Sequence, residues 1–479
     1  MNKLNIKKQK HTEPEFDELF KMIDDLKDFL NEDPNPKDKI WNENINTILD
    51  FQDDDGSFKL FDSYEIPIDA KVDFCYMPTY LCTAILMKAC LTHPESFTLK
   101  EKAGLLFGLK KSCVKNLTGH GYESLEGQIE ALNIFMEAGL NEFMDLYHDF
   151  CPEFSEMIEN IISKFQNMES EGKYIGPWGE SYETDIKSIN EYFCQRLVFV
   201  YGTLMRGESN HGYLQNSSCL GKATIEGYDM YDVGHYPAIV AGDSLIIGEL
   251  YQVPKEDMPS IDMLEGEGSL YAKRCETVTD ANGKSTIAFV YVYLGDISNL
   301  ERIPAWNNDY VWYVSYGSNM LQERFMCYIQ GGSFEGSRNH PPCDDATPPV
   351  AVRTFDIPYD MYFGNISGSW PGSGVSFLDT TRKGNAFGVA YLITKKQFEH
   401  VSARENDGRT PTPGYGWYED IISIGMVDGF EVMTITNNII RPYNRPIPKY
   451  WNTLFRGIKQ NWPEISGEEI DDYLNSCIR

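Results

Sequence analysis

Residues 198–204 read VFVYGTL, a β-branched and aromatic run that stops at Tyr201-Gly202-Thr203-Leu204. A continuous apolar run of this length reads as a buried strand, and a glycine directly after it marks a sharp bend. About a hundred residues later, 312–321 read WYVSYGSNML and repeat the pattern with Tyr316-Gly317-Ser318-Asn319. Two blocks that each open on a strand ending in Tyr-Gly-Thr/Ser amount to an internal duplication. The chain must therefore build one strand-first module twice.

What surrounds the two blocks sets the domain plan. A length of 479 residues allows about three domains. Residues 1–190 carry helical periodicity. FDELFKMIDDLKDFL (16–30) spaces Phe16, Leu19, Phe20, Ile23, Leu26 and Leu30 three and four apart, and Pro34-Asn35-Pro36 ends that helix. Thr98-Leu99-Lys100-Glu101 has the form of a capping box before AGLLFGL, and 128–150 and 153–165 continue the period as helices. From about Arg196 strand-like runs take over, namely LVFVY, PAIVAG, LIIGELYQV and TIAFVYVYLG. A polar, proline-containing join at 298–309 separates them from a second set, AFGVAYLI, DIISIGM and FEVMTIT, closed by a helix within PIPKYWNTLFRGIKQNWP. The expected architecture is multidomain: an α-helical domain over 1–190, then two α+β, mixed β-barrel domains over 196–300 and 311–479.

Composition narrows the function classes. A formal net charge of −30 repels phosphate backbones and anionic headgroups, which argues against nucleic-acid and membrane partners. No apolar run approaches the roughly 18 residues of a membrane span, and the N-terminal lysines precede no apolar core. Eleven cysteines without CxxC pairs read as reduced, mostly buried thiols in a cytoplasmic protein. An EF-hand reading of 52–58 fails, because Phe51 stands where the first oxygen ligand belongs.

The repeated turn has a chemistry of its own. Successive backbone N–H groups after a strand form a concavity that suits a carboxylate or an oxyanion. Gly202 and Gly317 permit close approach of a ligand, Thr203 and Ser318 add hydroxyls, and Leu204 an apolar wall. Most strand–glycine turns bind nothing. Each of these turns, however, is followed by an acid in matching context: Glu265 in DMLEGEGSLY and Glu405 in VSAREN. A glutamate amid Glu256, Asp257, Asp262 and Glu267 is by itself an ordinary surface acid; the same order of turn and acid twice is the signal.

On these words, VFVYGTLMRGESNHGYL, HYPAIV, IGELYQV and DMLEGEGSLYAKR, the first block resembles the γ-glutamylcyclotransferase-like family, nearest its γ-glutamylamine cyclotransferase branch. The second block is similar to a more distant branch through YGSNM, GVAYLI, Glu405 and the PxPKYWNTLFRGI tail. The resemblance implies release of 5-oxoproline and a free amine from a γ-glutamyl amide, by attack of the substrate's own α-amine on its γ-carbonyl. It implies Glu265 and Glu405 as general acid/base, and Tyr201, Gly202, Thr203, Leu204 and Tyr316, Gly317, Ser318, Asn319 as substrate grips. Tyr271 becomes a pocket wall. No metal or organic cofactor is called for, and His211 and His235 read as structural. The alternative is a pair of non-catalytic modules binding a γ-glutamyl or amino-acid-like ligand. Simple amide hydrolysis is disfavoured, since no G-x-S-x-G elbow is present.

Overall fold

A computed structural model describes residues 14–15, 17–19, 21, 39–53, 56–58, 77–94, 97–112, 125–176, 179–306, 310–335, 339–414 and 416–479. Contacts divide the chain into two compact units. Unit 1 holds 1–221, 249–279 and 284–296; unit 2 holds 222–248, 280–283 and 297–479. The first sequence block therefore contributes strands to both units.

The described part of the N-terminal region is helical: α1 (Lys39–Asp50), α2 (Met77–Thr92), α3 (Leu99–Ser112), α4 (Leu125–Glu137), α5 (Leu140–Tyr147), α6 (Pro152–Ser170) and α7 (Glu183–Phe193). Of the helix expected over 16–30, residues 17–19 and 21 are helical and the others lie outside the described residues, as does Pro34-Asn35-Pro36. Helix α3 begins directly behind Thr98, whose carbonyl accepts from Lys102 N at 3.0 Å. The single helix expected over 128–150 is instead two plus a 3-10 turn. Gly139 breaks it, with φ at +86°, a left-handed conformation that glycine adopts without cost. A Cβ there would stand 2.9 Å from Leu91 Cδ1 and 3.1 Å from Ile287 Cδ1. Gly139→Ala is expected to lower unfolding free energy by about 2 kcal/mol, the left-handed penalty plus crowding, read as a drop in denaturant midpoint.

Strands β1 (Gln195–Val200), β2 (Ser218–Asp232), β3 (Pro237–Ala241) and β4 (Ser244–Pro254) follow, then α8 (Met258–Glu265), β5 (Tyr271–Asp280), β6 (Ser285–Tyr293) and β7 (Glu301–Ile303). The sheet runs β3-β2-β4-β1-β6-β5, and β2 also pairs with β5, closing a mixed barrel. The long strand β2 escapes apolar-run reading because Gly221 and Gly227, at φ +127° and +82°, interrupt its pattern. The join expected at 298–309 is partly a strand, since Ile303 of β7 registers with Met230 of β2.

Block two comprises β8 (Tyr310–Ser315), α9 (Gln322–Gln330), β9 (Ala351–Gly364), β10 (Val375–Thr394), α10 (Lys395–Glu405), β11 (Asp420–Val427), β12 (Phe430–Thr436), α11 (Pro448–Asn461) and α12 (Gly467–Ser476). Its sheet runs β11-β12-β8-β10-β9. Strand β9, disguised by Pro358, is not among the strands expected from the sequence. That proline sits where the β9–β10 register shifts, on an edge strand whose missing N–H costs little. The Ser466/Glu469 capping box that opens α12 also went unread.

The two sheets share a plan. In each, the first strand lies antiparallel to a long strand (β1 on β4, β8 on β10) and parallel to the second arm of a hairpin (β1 on β6, β8 on β12). In each, a helix follows the long antiparallel strand and ends on the glutamate singled out above: α8 on Glu265, α10 on Glu405. The tyrosine that closes the first strand is pinned the same way. Tyr201 Oη donates to the carbonyl of Tyr291 on β6 at 2.6 Å, and Tyr316 Oη to that of Ile435 on β12 at 2.7 Å. Both rings are buried. Removing either hydroxyl leaves a buried carbonyl unpaired, so Tyr201→Phe and Tyr316→Phe should each cost about 1–3 kcal/mol in a denaturant titration.

Candidate functional site

In block one the bend after β1 is held rigid by its own downstream chain. Met205 N donates to Gly202 O at 2.9 Å and Asn210 N to Thr203 O at 2.9 Å. Asn210 Nδ2 donates to Thr203 Oγ1 at 3.0 Å, and His211 Nδ1 lies 3.0 Å from Leu204 O. His211 thus supports the turn, while His235 is exposed. Leu204 is buried. The Arg206 N–H reaches Glu249 Oε2 at 2.9 Å, an oxygen that also accepts from Tyr251 Oη at 2.9 Å. Glu249 is a buried acid that sequence reading passed over; in IGELYQV it looks like one polar position in a strand.

Helix α8 is anchored by Asp262, one turn before its end. Tyr291 Oη donates to Asp262 Oδ1 at 2.6 Å and Lys273 Nζ to Oδ2 at 2.9 Å. Through Tyr291, whose carbonyl accepts from Tyr201, the bend after β1 and the end of α8 attach to one strand residue. Glu265 closes that helix, with Gly266 left-handed behind it at φ +60°. The Glu265 carboxyl is half-buried, and burial pushes its pKa up to about 7. Tyr271 is buried, its ring packed edge-on against Tyr293 at 5.5 Å.

In block two the corresponding elements surround a cavity of about 580 Å³. Tyr316, Gly317, Ser318 and Asn319 line it, and so does Glu405. Asn319 Nδ2 donates to Glu405 Oε1 at 2.6 Å, so Asn319 acts through its side chain as well as standing in the turn. Tyr391 Oη holds the Asn319 carbonyl at 2.7 Å. Burial pushes the Glu405 carboxyl up, while the Arg324 guanidinium, the Tyr328 hydroxyl and the Asn319 amide pull it back down. Arg324 Nη2 donates to Tyr328 Oη at 3.0 Å, and its Nη1 lies 3.4 Å from His340 Nε2. Arg324 Nε and Asn319 Oδ1 are buried without hydrogen-bond partners, which favours a polar ligand in the cavity that surrounds them. Trp370, Trp417, Tyr418 and Tyr450 complete apolar walls, with Lys449 and Arg404 at the lining as well.

Arg324, Tyr328 and His340 were absent from the sequence-based candidates. Arg324 and Tyr328 lie one helical turn apart on α9, directly behind the YGSN turn, and that spacing was the available signal. His340 comes from the segment between α9 and β9, where it forms an isolated bridge with Gly332. Among the described residues no group of three or more His, Cys, Asp or Glu could hold a metal, and no helix is long and apolar enough to cross a membrane. Described cysteines are unpaired, and Cys82, Cys90, Cys151, Cys275, Cys343 and Cys477 are buried.

Comparison with known proteins places residues 198–310 in the family model described as γ-glutamyl cyclotransferase, AIG2-like. A Vibrio cholerae protein provisionally named a γ-glutamylcyclotransferase is 43% identical over 100 residues, 21% of this chain and 83% of that protein. The Arabidopsis thaliana protein named histone deacetylase 5 is 28% identical over 210 residues, 35% of this chain; the match spans 31% of that relative's length. The crystal structure of YkqA from Bacillus subtilis aligns with 60% of this chain and 99% of its own, at 20% identity and a TM-score of 0.25. On the match at 198–310 and the Vibrio relative, the chain belongs to the γ-glutamyl cyclotransferase, AIG2-like family.

Proposed function

We propose that this protein is a γ-glutamyl cyclotransferase carrying two copies of the site, in domains spanning 196–300 and 311–479 behind a helical domain over 1–190. The observation that supports this most is the repeated placement of an acid, Glu265 and Glu405, at the end of the helix that follows the long antiparallel strand, each with its carboxyl raised by burial. A carboxyl raised toward neutrality is what a group needs if it must take a proton and later return it.

The reaction asks little else of the protein. The substrate's α-amine attacks its own γ-carbonyl carbon, the amide C–N bond breaks, and 5-oxoproline and an amine leave. Because the nucleophile is tethered, holding the glutamyl unit in a ring-forming pose can supply about 7–11 kcal/mol of the barrier. In this reading Tyr201–Leu204 and Tyr316–Asn319 grip the glutamyl α-carboxylate. Glu265 or Glu405 removes one proton from the α-ammonium, since an ammonium cannot attack, and delivers it to the departing nitrogen; the second proton, which the attacking nitrogen sheds as the ring closes, passes the same way, so the lactam nitrogen keeps one hydrogen and the amine leaves as an ammonium. Atoms and protons balance without water. Tyr271 serves as a wall of the first pocket.

The test is 5-oxoproline release from a panel of γ-glutamyl amines, amino acids and peptides. Turnover of at least one panel member is expected; no product from any of them at high enzyme concentration would favour the non-catalytic ligand-binding alternative. The pH profile adds a second check. The base form of Glu265 disappears as pH falls through about 7, so kcat/KM of the Glu405→Gln variant should drop about tenfold per unit below that pH. A profile flat from pH 5 to 8 would reject Glu265 as the base.

A further inference from the structure

Unit 1 holds a second cavity, of about 150 Å³, whose residues play no part in the proposed chemistry. It is lined from α4, α5, α7, β1, β4 and β6, all within that unit. Three donors on its wall are already spent inside the protein. Asn141 Nδ2 gives its hydrogens to Tyr192 O at 2.7 Å and Gln195 O at 3.1 Å, and Tyr192 Oη donates to Met136 O at 3.4 Å. Arg196 is matched by Asp145, with Nε and Nη2 on its two oxygens at 2.6 and 3.0 Å, while its Nη1 donates to the carbonyls of Phe193 and Gln195.

Two amide acceptors on the same wall are not spent. Asn141 Oδ1 and Gln195 Oε1 are buried with no hydrogen-bond partner, and Asn141 as a whole is only 2% exposed. Glu142 is 4% exposed, and its carboxylate meets its own backbone N–H and the Tyr192 hydroxyl, which leaves lone pairs over for a further donor. Buried acceptors left open in this way are costly unless something fills them. An acceptor set of one carboxylate and two amide oxygens matches the three N–H bonds of a protonated primary amine, and it offers nothing to an anion. A cavity near 150 Å³ is large enough for a ligand of about six carbons.

We propose that this cavity binds a small primary alkylammonium ion, with Glu142 as its counter-ion, Asn141 Oδ1 and Gln195 Oε1 as the remaining acceptors, and Leu197 and Ile287 against its alkyl chain. The amine expelled in the proposed reaction belongs to the same chemical class, so a role in product feedback rests on that reading; the binding itself does not.

Burial holds the Glu142 carboxyl near 7, opposed by its own backbone N–H, by Arg196 and by Tyr192. The charged and titratable groups around it are Arg196 on β1, Asp145 on α5, Tyr192 on α7 and Cys275 on β5, with Glu137 on the cavity wall. An ammonium selects the ionised carboxylate, so affinity should be about tenfold weaker at pH 6 than at pH 8. Titration calorimetry of the full chain with n-butylammonium tests the site. Binding is expected in the wild type and at least a tenfold loss in Glu142→Gln and in Gln195→Met, each checked for an unchanged melting transition. Tetramethylammonium, which has no N–H, should not bind. No heat at millimolar amine, equal binding in Glu142→Gln, or equal binding of tetramethylammonium would overturn the proposal. The Glu265→Gln/Glu405→Gln double variant keeps the two readings apart: it should retain amine binding whatever its turnover, and loss of binding there would put the amine in the proposed catalytic sites and overturn the assignment to this cavity.

Discussion

Glu265→Gln and Glu405→Gln together should abolish 5-oxoproline release, and each alone should remove the share of turnover that its own copy supplies. Glutamine keeps the shape of glutamate and its ability to accept a hydrogen bond, yet it cannot carry a proton between two nitrogens. Loss of a positioned acid/base typically slows a reaction about 10²–10⁴-fold. In block two the substitution also preserves an acceptor for Asn319 Nδ2, now 2.6 Å from Glu405 Oε1, so the cavity should stay intact and ligand affinity should change far less than rate. In block one Glu265 is shifted by burial alone, and an uncharged amide there removes a desolvated charge. The Glu265→Gln chain should therefore be no less stable than the wild type at pH 8. Progress curves on the two single variants and the double variant settle how the work divides. Undiminished release in the double variant would show that neither acid is the base.

Trp312→Ala should destabilise unit 2 by about 3–5 kcal/mol. Trp312 sits on the central strand β8 with no exposed surface, and the Arg353 guanidinium lies 4.5 Å from its ring centroid. Truncation removes the ring, opens a cavity where β8 is clamped between β10 and β12, and leaves the Arg353 contact unmade. The indole N–H has no hydrogen-bond partner, which is a cost the folded protein already bears. Trp312→Phe should accordingly lose only about 1 kcal/mol, because it keeps most of the packing and deletes the unpaired donor. Met426→Ala, at a side chain 64% exposed, should fall within about 0.5 kcal/mol of the wild type. Denaturant midpoints for the three variants test the ranking, and equal losses for Ala and Phe would contradict it.

Both predictions draw on features that were unequally visible in the chain. The strands β1, β3, β4, β6, β8 and β12 announce themselves as apolar runs, since burial on both faces needs no partner information to be recognised. β2 and β9 do not, because Gly221, Gly227 and Pro358 mask a pairing that depends on distant strands. The break at Gly139 was hidden for a similar reason: glycine is compatible with a continuous helix, and only the packing of Leu91 and Ile287 around it selects the left-handed bend.

The order of turn and acid, and its repetition, could be read directly, because a strand ending on Tyr-Gly and a helix ending on Glu are local patterns. The surroundings of those acids could not. Asn319 and Glu405 are 86 positions apart when they share a hydrogen bond, Arg324 and Tyr328 act on that carboxylate from a helix, and His340 meets Arg324 from a loop with no sequence pattern in common. Proton affinity depends on desolvation and on neighbouring charge, which are properties of what folding brings within a few ångströms. Residue order names the groups; their pKa values, and the open acceptors around Glu142, exist only once the chain has closed around them.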